Sequence, residues 1–197
     1  MNRLQDFLET NLRRIIAAWD EEDIYAISFF VHANEAYAYR GYQNVTTFAV
    51  SYNTERDCGG AGKRSEERWN YAFWRQNEVA VIDAAEDDPG MALLFDWYHE
   101  NGITNIGYED PEGCYDEKMR CIGKGPVGYA QLLKEITAVA RRLQESGFIA
   151  EQLGRPVPII IHDLEYSWYT LEATRQANSG GEADVFLAAM QELGFSD

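Results

Sequence analysis

Three consecutive isoleucines, Ile159, Ile160 and Ile161, constrain the fold of this chain more than any other stretch. β-Branched side chains are stiff about χ1 and suit the pleated surface of a strand. A strand that is apolar at successive positions points both faces into protein, so other elements must cover it on two sides. Pro156 and Pro158 come just before the run, and proline is tolerated where a strand begins. The sequence therefore predicts a buried strand that is covered on both faces.

The rest of the chain alternates between helical and strand patterns. Apolar residues recur every three or four positions in several stretches, which is typical of helices packed by one face. Runs rich in Val, Thr, Phe and Tyr indicate strands that are close enough in sequence to pair as antiparallel hairpins. The predicted helices are 4–19, 91–99, 126–147 and 182–193, and the further predicted strands are 24–31, 36–39, 45–52 and 79–82, with a turn at 33–35. Together they predict one α+β domain over residues 1–197, a largely antiparallel sheet with packed helices.

The charge balance narrows the classes of partner. The chain has 33 acidic residues against 17 basic ones, a formal net charge of −16. Such a field repels phosphate backbones and anionic lipid headgroups, so we expect no nucleic acid and no membrane partner. It favours a basic protein partner, or it serves solubility alone.

The cysteines and the N-terminus predict a cytoplasmic protein. Cys58, Cys114 and Cys121 are odd in number and lack the spacing of a disulfide framework, which is typical of a reducing compartment. The first residues lack the apolar core of a signal peptide, and no apolar run approaches the roughly 18 residues of a membrane span.

Two loops approach known ligand-binding motifs and depart from both. The glycine-rich stretch 59–63 has Asp57 where a phosphate loop has its first glycine, and Arg64 where that motif has Ser or Thr. The acidic stretch 109–117 places Tyr108 and Met119 at the first and last ligand positions of an EF-hand. We interpret the first as a mobile loop and the second as a solvated acidic loop, with a weak irregular cation site as the alternative.

The histidines, cysteines and serines of the sequence predict neither a metal site nor a cofactor. His32, His99 and His162 are far apart in sequence, and no pair of histidines or cysteines has the spacing of zinc ligands. A Gly-x-Ser-x-Gly nucleophile elbow is also missing from the sequence. Structural roles for the three histidines are therefore the simpler interpretation.

Two stretches supply a candidate binding surface. An aromatic stretch, 69–74, is flanked by Arg68 and Arg75, and Trp and Arg are favoured anchors of interfaces, although the same rings suit a core. Polar residues also follow the isoleucine strand, at the position where a sheet can present chemistry. The candidate surface residues are Arg68, Trp69, Trp74, His162, Asp163, Glu165 and Trp168.

Several segments together resemble a known bacterial family. The stretches Asp23–Phe30, Ser51–Glu55 and Arg68–Trp74, with the late helix leading to Ile159–Asp163, resemble the family catalogued as domain of unknown function 4303. The resemblance covers nearly the whole chain except for the residues around 108–121. It implies an α+β fold and transfers no catalytic residue. Size and acidity also resemble the immunity proteins of bacterial toxin systems, by analogy alone.

Three functional hypotheses follow. The leading one is a cytoplasmic, non-catalytic protein-binding module whose acidic surface meets a basic protein, with a bacterial toxin as one such partner. The rival is a hydrolase or metal-assisted enzyme that uses His162, Asp163 and Glu165 at the strand end. The third is a structural subunit with a large apolar interface between copies of the chain.

Overall fold

The computed structural model describes residues 2–35, 39–42, 45–103, 117 and 128–195. The strands are β1 (Ile24–Glu35), β2 (Val45–Thr54), β3 (Val79–Ile82) and β4 (Ile159–His162). The α-helices are α1 (Arg3–Ala17), α2 (Glu66–Trp69), α3 (Pro89–Glu100), α4 (Tyr129–Glu145), α5 (Phe148–Leu153), α6 (Trp168–Ala177) and α7 (Asp184–Glu192), with a short 3-10 helix at Tyr71–Phe73. None of the helices in these ranges combines the length and apolarity needed to cross a bilayer.

The four strands form one mixed sheet in the order β3-β2-β1-β4. Strand β2 pairs antiparallel with β1, as the hairpin prediction requires, and it also pairs antiparallel with β3. Strand β4 lies parallel to β1, with Ile27 opposite Ile159 and Phe30 opposite His162. The chain reaches this position only after α3, α4 and α5, because a parallel neighbour needs a crossover. The predicted α+β class with a largely antiparallel sheet is confirmed.

The isoleucine strand is buried on both faces, as predicted. Ile159 and Ile161 belong to the larger hydrophobic cluster, which also holds the apolar faces of α1, α3 and α4. Ile160 belongs to a second cluster on the opposite face, where it is grouped with Trp69 and Phe186. All three isoleucine side chains are fully buried. The sheet is therefore the middle layer between two sets of helices.

Helix α6 and Asn178, the residue that follows it, cover the outer edge of β4 with polar side chains. Asn178 accepts from the backbone N–H of Ile159 at 2.9 Å and donates to its carbonyl oxygen at 2.8 Å. Thr174 accepts from the N–H of Ile161 at 2.9 Å and donates to its carbonyl oxygen at 3.3 Å. Four residues of helix and two residues of strand both advance about 6–7 Å, so the two side chains match alternate residues of β4. They occupy the positions that a fifth strand would fill.

The structure corrects several predicted boundaries. The predicted turn at 33–35 is the end of β1, which reaches Glu35 through an irregularity in its pairing with β2. Most of the predicted strand 36–39 lies outside the described residues, and Tyr39 forms an isolated bridge with Tyr42. Helix α4 is described from Tyr129, and the predicted start at residue 126 lies outside the described ranges. Helices α5 and α6 were not predicted, because α5 has only six residues and α6 buries polar side chains.

A glycine in the first turn of α3 permits a close approach between layers. A Cβ atom added at Gly90 would lie 2.7 Å from the carbonyl oxygen of Val81 and 3.0 Å from Cε1 of Phe7. We expect Gly90→Ala to lower the free energy of unfolding by about 1–3 kcal/mol in urea titrations, since overpacking forces the backbone to move. Gly62→Ala is the control, because no atom lies within 4 Å of its added Cβ. Equal unfolding midpoints for the two variants would contradict this account of the packing.

Candidate binding site at the end of strand β4

His162, the last residue of β4, is sealed inside the second cluster. Its side chain is 0% exposed, and its Nε2 atom lies 2.7 Å from Oγ of Ser28 on β1. The ring centroid of Phe30 stacks 5.5 Å away, and the centroid of Tyr71 lies at 4.5 Å. Tyr166 adds an edge contact at 5.9 Å. Aromatic side chains therefore replace water around this imidazole.

Burial determines the protonation state of His162. Removal from water lowers its pKa from 6.5 to about 3, because the charged imidazolium loses its hydration. Among the described residues, its Nδ1 atom has no hydrogen-bond partner. The contact with Ser28 has the length of a nucleophile–base pair, yet both side chains are 0% exposed. The pair is a neutral internal hydrogen bond without exposure to solvent in this conformation.

Asp163 connects the end of β4 to two helices. Its Oδ2 atom accepts from the hydroxyl of Tyr169 on α6 at 3.0 Å and from that of Tyr129 on α4 at 3.3 Å. Burial raises the pKa of the Asp163 carboxyl above its usual value, and these hydrogen bonds offset part of that rise. The backbone N–H of Glu165 also bonds to this carboxylate. Asp163 thus holds the following turn in one conformation.

Leu164 lies in that turn with an unusual backbone. Its φ angle is +81°, a region that L residues with a Cβ seldom adopt, and its side chain is 56% exposed. A left-handed conformation costs a non-glycine residue roughly 1–2 kcal/mol. The bond from the Glu165 backbone to Asp163 spans this residue, as in the turns that Asp commonly forms. An apolar side chain is consequently held in solvent at an energetic cost.

The two tryptophans of the aromatic stretch lie in the core, whereas Phe73 between them is 57% exposed. Arg68, Trp69 and Trp74 are 7%, 3% and 4% exposed. Arg68 donates two hydrogen bonds to Glu55, at 2.6 and 2.8 Å, and its guanidinium lies 4.0 Å from the ring centroid of Tyr25. Trp74 donates to the carbonyl oxygen of Arg68 at 2.8 Å. The packing alternative for these tryptophans is confirmed by their burial.

Only part of the predicted surface is accessible. Burial removes Arg68, Trp69, Trp74 and His162 from it, because their side chains fill the second cluster or seal its edge. Glu165 is exposed, while Asp163 and Trp168 are partly buried. Trp168 lines a groove between α4 and α6, whereas Glu165 lines a different groove, so the two residues share no pocket. Whether the accessible members bind a partner stays a prediction.

A groove that the sequence did not reveal lies beside Glu165. Its volume is about 310 Å³, and we call it the Leu164 groove. It brings together residues that are distant in sequence, from α2, from the turn after β4 and from the end of α7. The side chains that define it are Glu66, Leu164, Glu165, Tyr166, Leu193 and Phe195. No local pattern signals such a groove, because it exists only once three separate segments have packed.

Neither the described side chains nor comparisons with known proteins assign a metal site or a family. Within the described ranges, no three His, Cys, Asp or Glu side chains come close enough to hold a metal ion. The acidic stretch 109–117 falls almost wholly outside those ranges, as do Cys114 and Cys121. No family model matches the chain, and neither a curated protein nor a solved structure matches it. The resemblance to domain of unknown function 4303 therefore stays a prediction.

Proposed function

We propose that this protein is a non-catalytic binding module whose acidic surface recognises a basic protein. The supporting observation is that many of its arginines form ion pairs within the chain. Many of the arginines already pair with carboxylates of the same chain, namely Arg13, Arg40, Arg56, Arg64, Arg68, Arg75, Arg141, Arg142 and Arg175. These arginines already contact carboxylates of the chain itself, and the 33 acids outnumber all 17 bases to leave a net charge of −16. That excess attracts and orients a basic partner.

The proposal extends to an immunity-type role in the cytoplasm. A basic bacterial toxin is one partner with the required chemistry, and covering its active surface would neutralise it. Such a role needs a rigid, charged surface rather than a reactive group, which suits a module of this size and acidity. Cys58 is a free thiol in the structure, which suits a reducing compartment.

The competing enzymatic hypothesis has one specific observation in its favour. Ser28 and His162 approach within 2.7 Å, as a nucleophile and its base do. A substrate would first have to displace the rings of Tyr71 and Tyr166, since the pair is fully buried. Glu165 is exposed outside that cluster, so the three polar residues of the strand end do not converge on one accessible point. The binding role needs no such rearrangement.

A capture experiment tests the proposed function. The purified chain is immobilised and exposed to extract from its source organism at low salt, and each retained protein is then purified and its association rate is measured. We expect a partner of net positive charge whose association rate falls at least about tenfold between roughly 0.05 and 0.3 M salt. A partner that is neutral or acidic, or a rate that ignores salt, would count against the proposal.

A further inference from the structure

We propose that the Leu164 groove binds a segment of the basic partner in which a leucine or phenylalanine is flanked by lysine or arginine. This inference rests on the proposed function and narrows it to one site and one kind of peptide. It is carried by three features of the groove: the exposure of its apolar side chains, the backbone of Leu164 and the charge of its rim.

The groove exposes apolar side chains around a buried floor. Leu164, Leu193 and Phe195 are 56%, 38% and 40% exposed, whereas Tyr166 and Met190 beneath them are buried. Clustered exposed apolar side chains with a polar rim commonly mark interaction sites. A volume of about 310 Å³ is at the lower limit for small-molecule sites, so it suits one or two large side chains better than a cofactor.

Neither packing nor backbone preference accounts for leucine at position 164. Its φ angle of +81° favours glycine, and its exposed side chain adds little to the core. The turn is nevertheless fixed, because Asp163 is anchored by Tyr169 and Tyr129. Strained residues held by their surroundings concentrate at functional sites. Contact with another molecule would give this leucine a role.

The wall formed by Phe195 is equally well defined. Gly194 has a φ angle of +85°, which ends α7 in a left-handed residue. The N–H of Gly194 donates to the carbonyl of Gln191 at 3.2 Å, and that of Phe195 donates to the carbonyl of Met190 at 2.9 Å. These bonds turn Phe195 back, so its ring lies 6.2 Å from that of Tyr166. Local hydrogen bonding therefore shapes the groove before any partner arrives.

The rim specifies a cationic partner. Glu66 and Glu165 are both exposed, and neither forms an ion pair with a described residue, although Glu66 accepts a hydrogen bond from Asn70 at 3.0 Å. Glu192 nearby differs, since Arg64 pairs with it at 2.7 Å. The described lining contains no basic side chain. A second copy of this chain would bring carboxylates against carboxylates, so charge complementarity favours a basic segment instead.

Peptide titration of the isotope-labelled 197-residue chain tests the apolar contact. The probes are acetyl-Lys-Lys-Leu-Lys-Lys-amide and the same peptide with serine in place of leucine, both at low salt. We expect the leucine peptide to shift amide signals around Leu164 and Phe195 and to bind at least about tenfold more tightly than the serine peptide. Leu164→Gly should abolish this preference while the fold persists, because glycine adopts the native φ angle readily. Phe73→Ser is the matched control, since Phe73 is 57% exposed and does not line the groove.

Neutralising the rim tests the charge contact. We expect Glu66→Gln with Glu165→Gln to weaken the leucine peptide about tenfold or more, because two charge contacts are lost. Glu86→Gln with Glu151→Gln makes the same change of net charge at exposed positions outside the groove and should weaken binding much less.

The outcomes separate this inference from the proposed function. Equal weakening by the two double variants, or equal binding of the two peptides, would contradict the groove as the binding site. Either result would indicate that basic peptides bind to the acidic surface as a whole. Self-association that Leu164→Gly abolishes would assign the groove to a second copy and overturn the inference as well. If neither peptide binds and no basic protein is captured, the proposed function fails together with it.

Discussion

Replacement of Asn178 by leucine is expected to lower the free energy of unfolding by about 3–5 kcal/mol, although the two side chains are similar in size. Asn178 is 4% exposed and bonds to both backbone groups of Ile159. It also donates to the carbonyl of Thr174 at 2.7 Å and accepts from Gln144 at 2.9 Å. Leucine would leave the backbone N–H and carbonyl of buried Ile159 without a hydrogen-bond partner and without access to water. Urea unfolding followed by circular dichroism measures the loss.

Two further variants within α6, the helix that Asn178 caps, test the cause. Thr174→Val keeps the shape of the side chain and should cost about 1–3 kcal/mol, because it removes the partner of Ile161 alone. Gln176→Leu changes an exposed position and should stay within about 0.5 kcal/mol of the wild type. If Asn178→Leu proves as stable as Gln176→Leu, side chains of α6 do not complete the sheet.

The second large effect is a loss of stability in acid through His162. Its pKa is about 3 in the folded chain and 6.5 as an unperturbed histidine. Between pH 3 and pH 6.5 the unfolded chain therefore binds a proton at this residue and the folded chain does not. The contribution is complete above pH 6.5 and declines as the pH falls toward 3. At about 1.4 kcal/mol per pH unit, the decline totals roughly 5 kcal/mol over the full interval. Unfolding free energies measured from pH 7 to pH 4 would show most of it.

Comparison with His162→Gln isolates this contribution. Glutamine does not titrate, so the variant should lose less stability than the wild type over the same interval, whatever its stability at pH 7. Asp163 acts in the opposite direction, since its raised pKa favours the folded state as the pH falls, but both proteins retain it. His99→Gln, at an exposed position, should follow the wild type. A nuclear magnetic resonance signal of His162 that titrates near pH 6.5 would contradict the burial argument.

The sequence predicts those parts of the fold that depend on apolar periodicity. The isoleucine run predicts a strand buried on both faces because branched side chains favour a strand, and a strand that is apolar at successive positions must be covered on two sides. Helix α6 escapes prediction because Thr170, Thr174 and Asn178 are buried polar residues, and their partners are backbone groups of a strand or turn. Polar side chains at buried positions interrupt the apolar stripe from which a helix is predicted in a sequence.

The candidate site is harder to predict than the fold for the same reason. From residue type alone, Trp69 and Trp74 suit either an interface or a core. Their place in the core becomes apparent only when they pack against the sheet. The left-handed backbone of Leu164 has no sequence signal at all, since leucine is among the residues least expected there. The groove depends on contacts between residues about a hundred positions apart, which no local pattern encodes.

The polar cover on β4 also limits how this protein can meet other chains. Many proteins recruit an extended peptide by intermolecular β-pairing, which requires free backbone groups on an outer strand. Asn178 and Thr174 already occupy those groups, so neither a partner nor a misfolded neighbour can extend the sheet there. The opposite margin, β3, is only four residues long and offers little backbone for such pairing. The two outer strands therefore offer little backbone for intermolecular β-pairing, which also reduces fibrous assembly through them at high concentration.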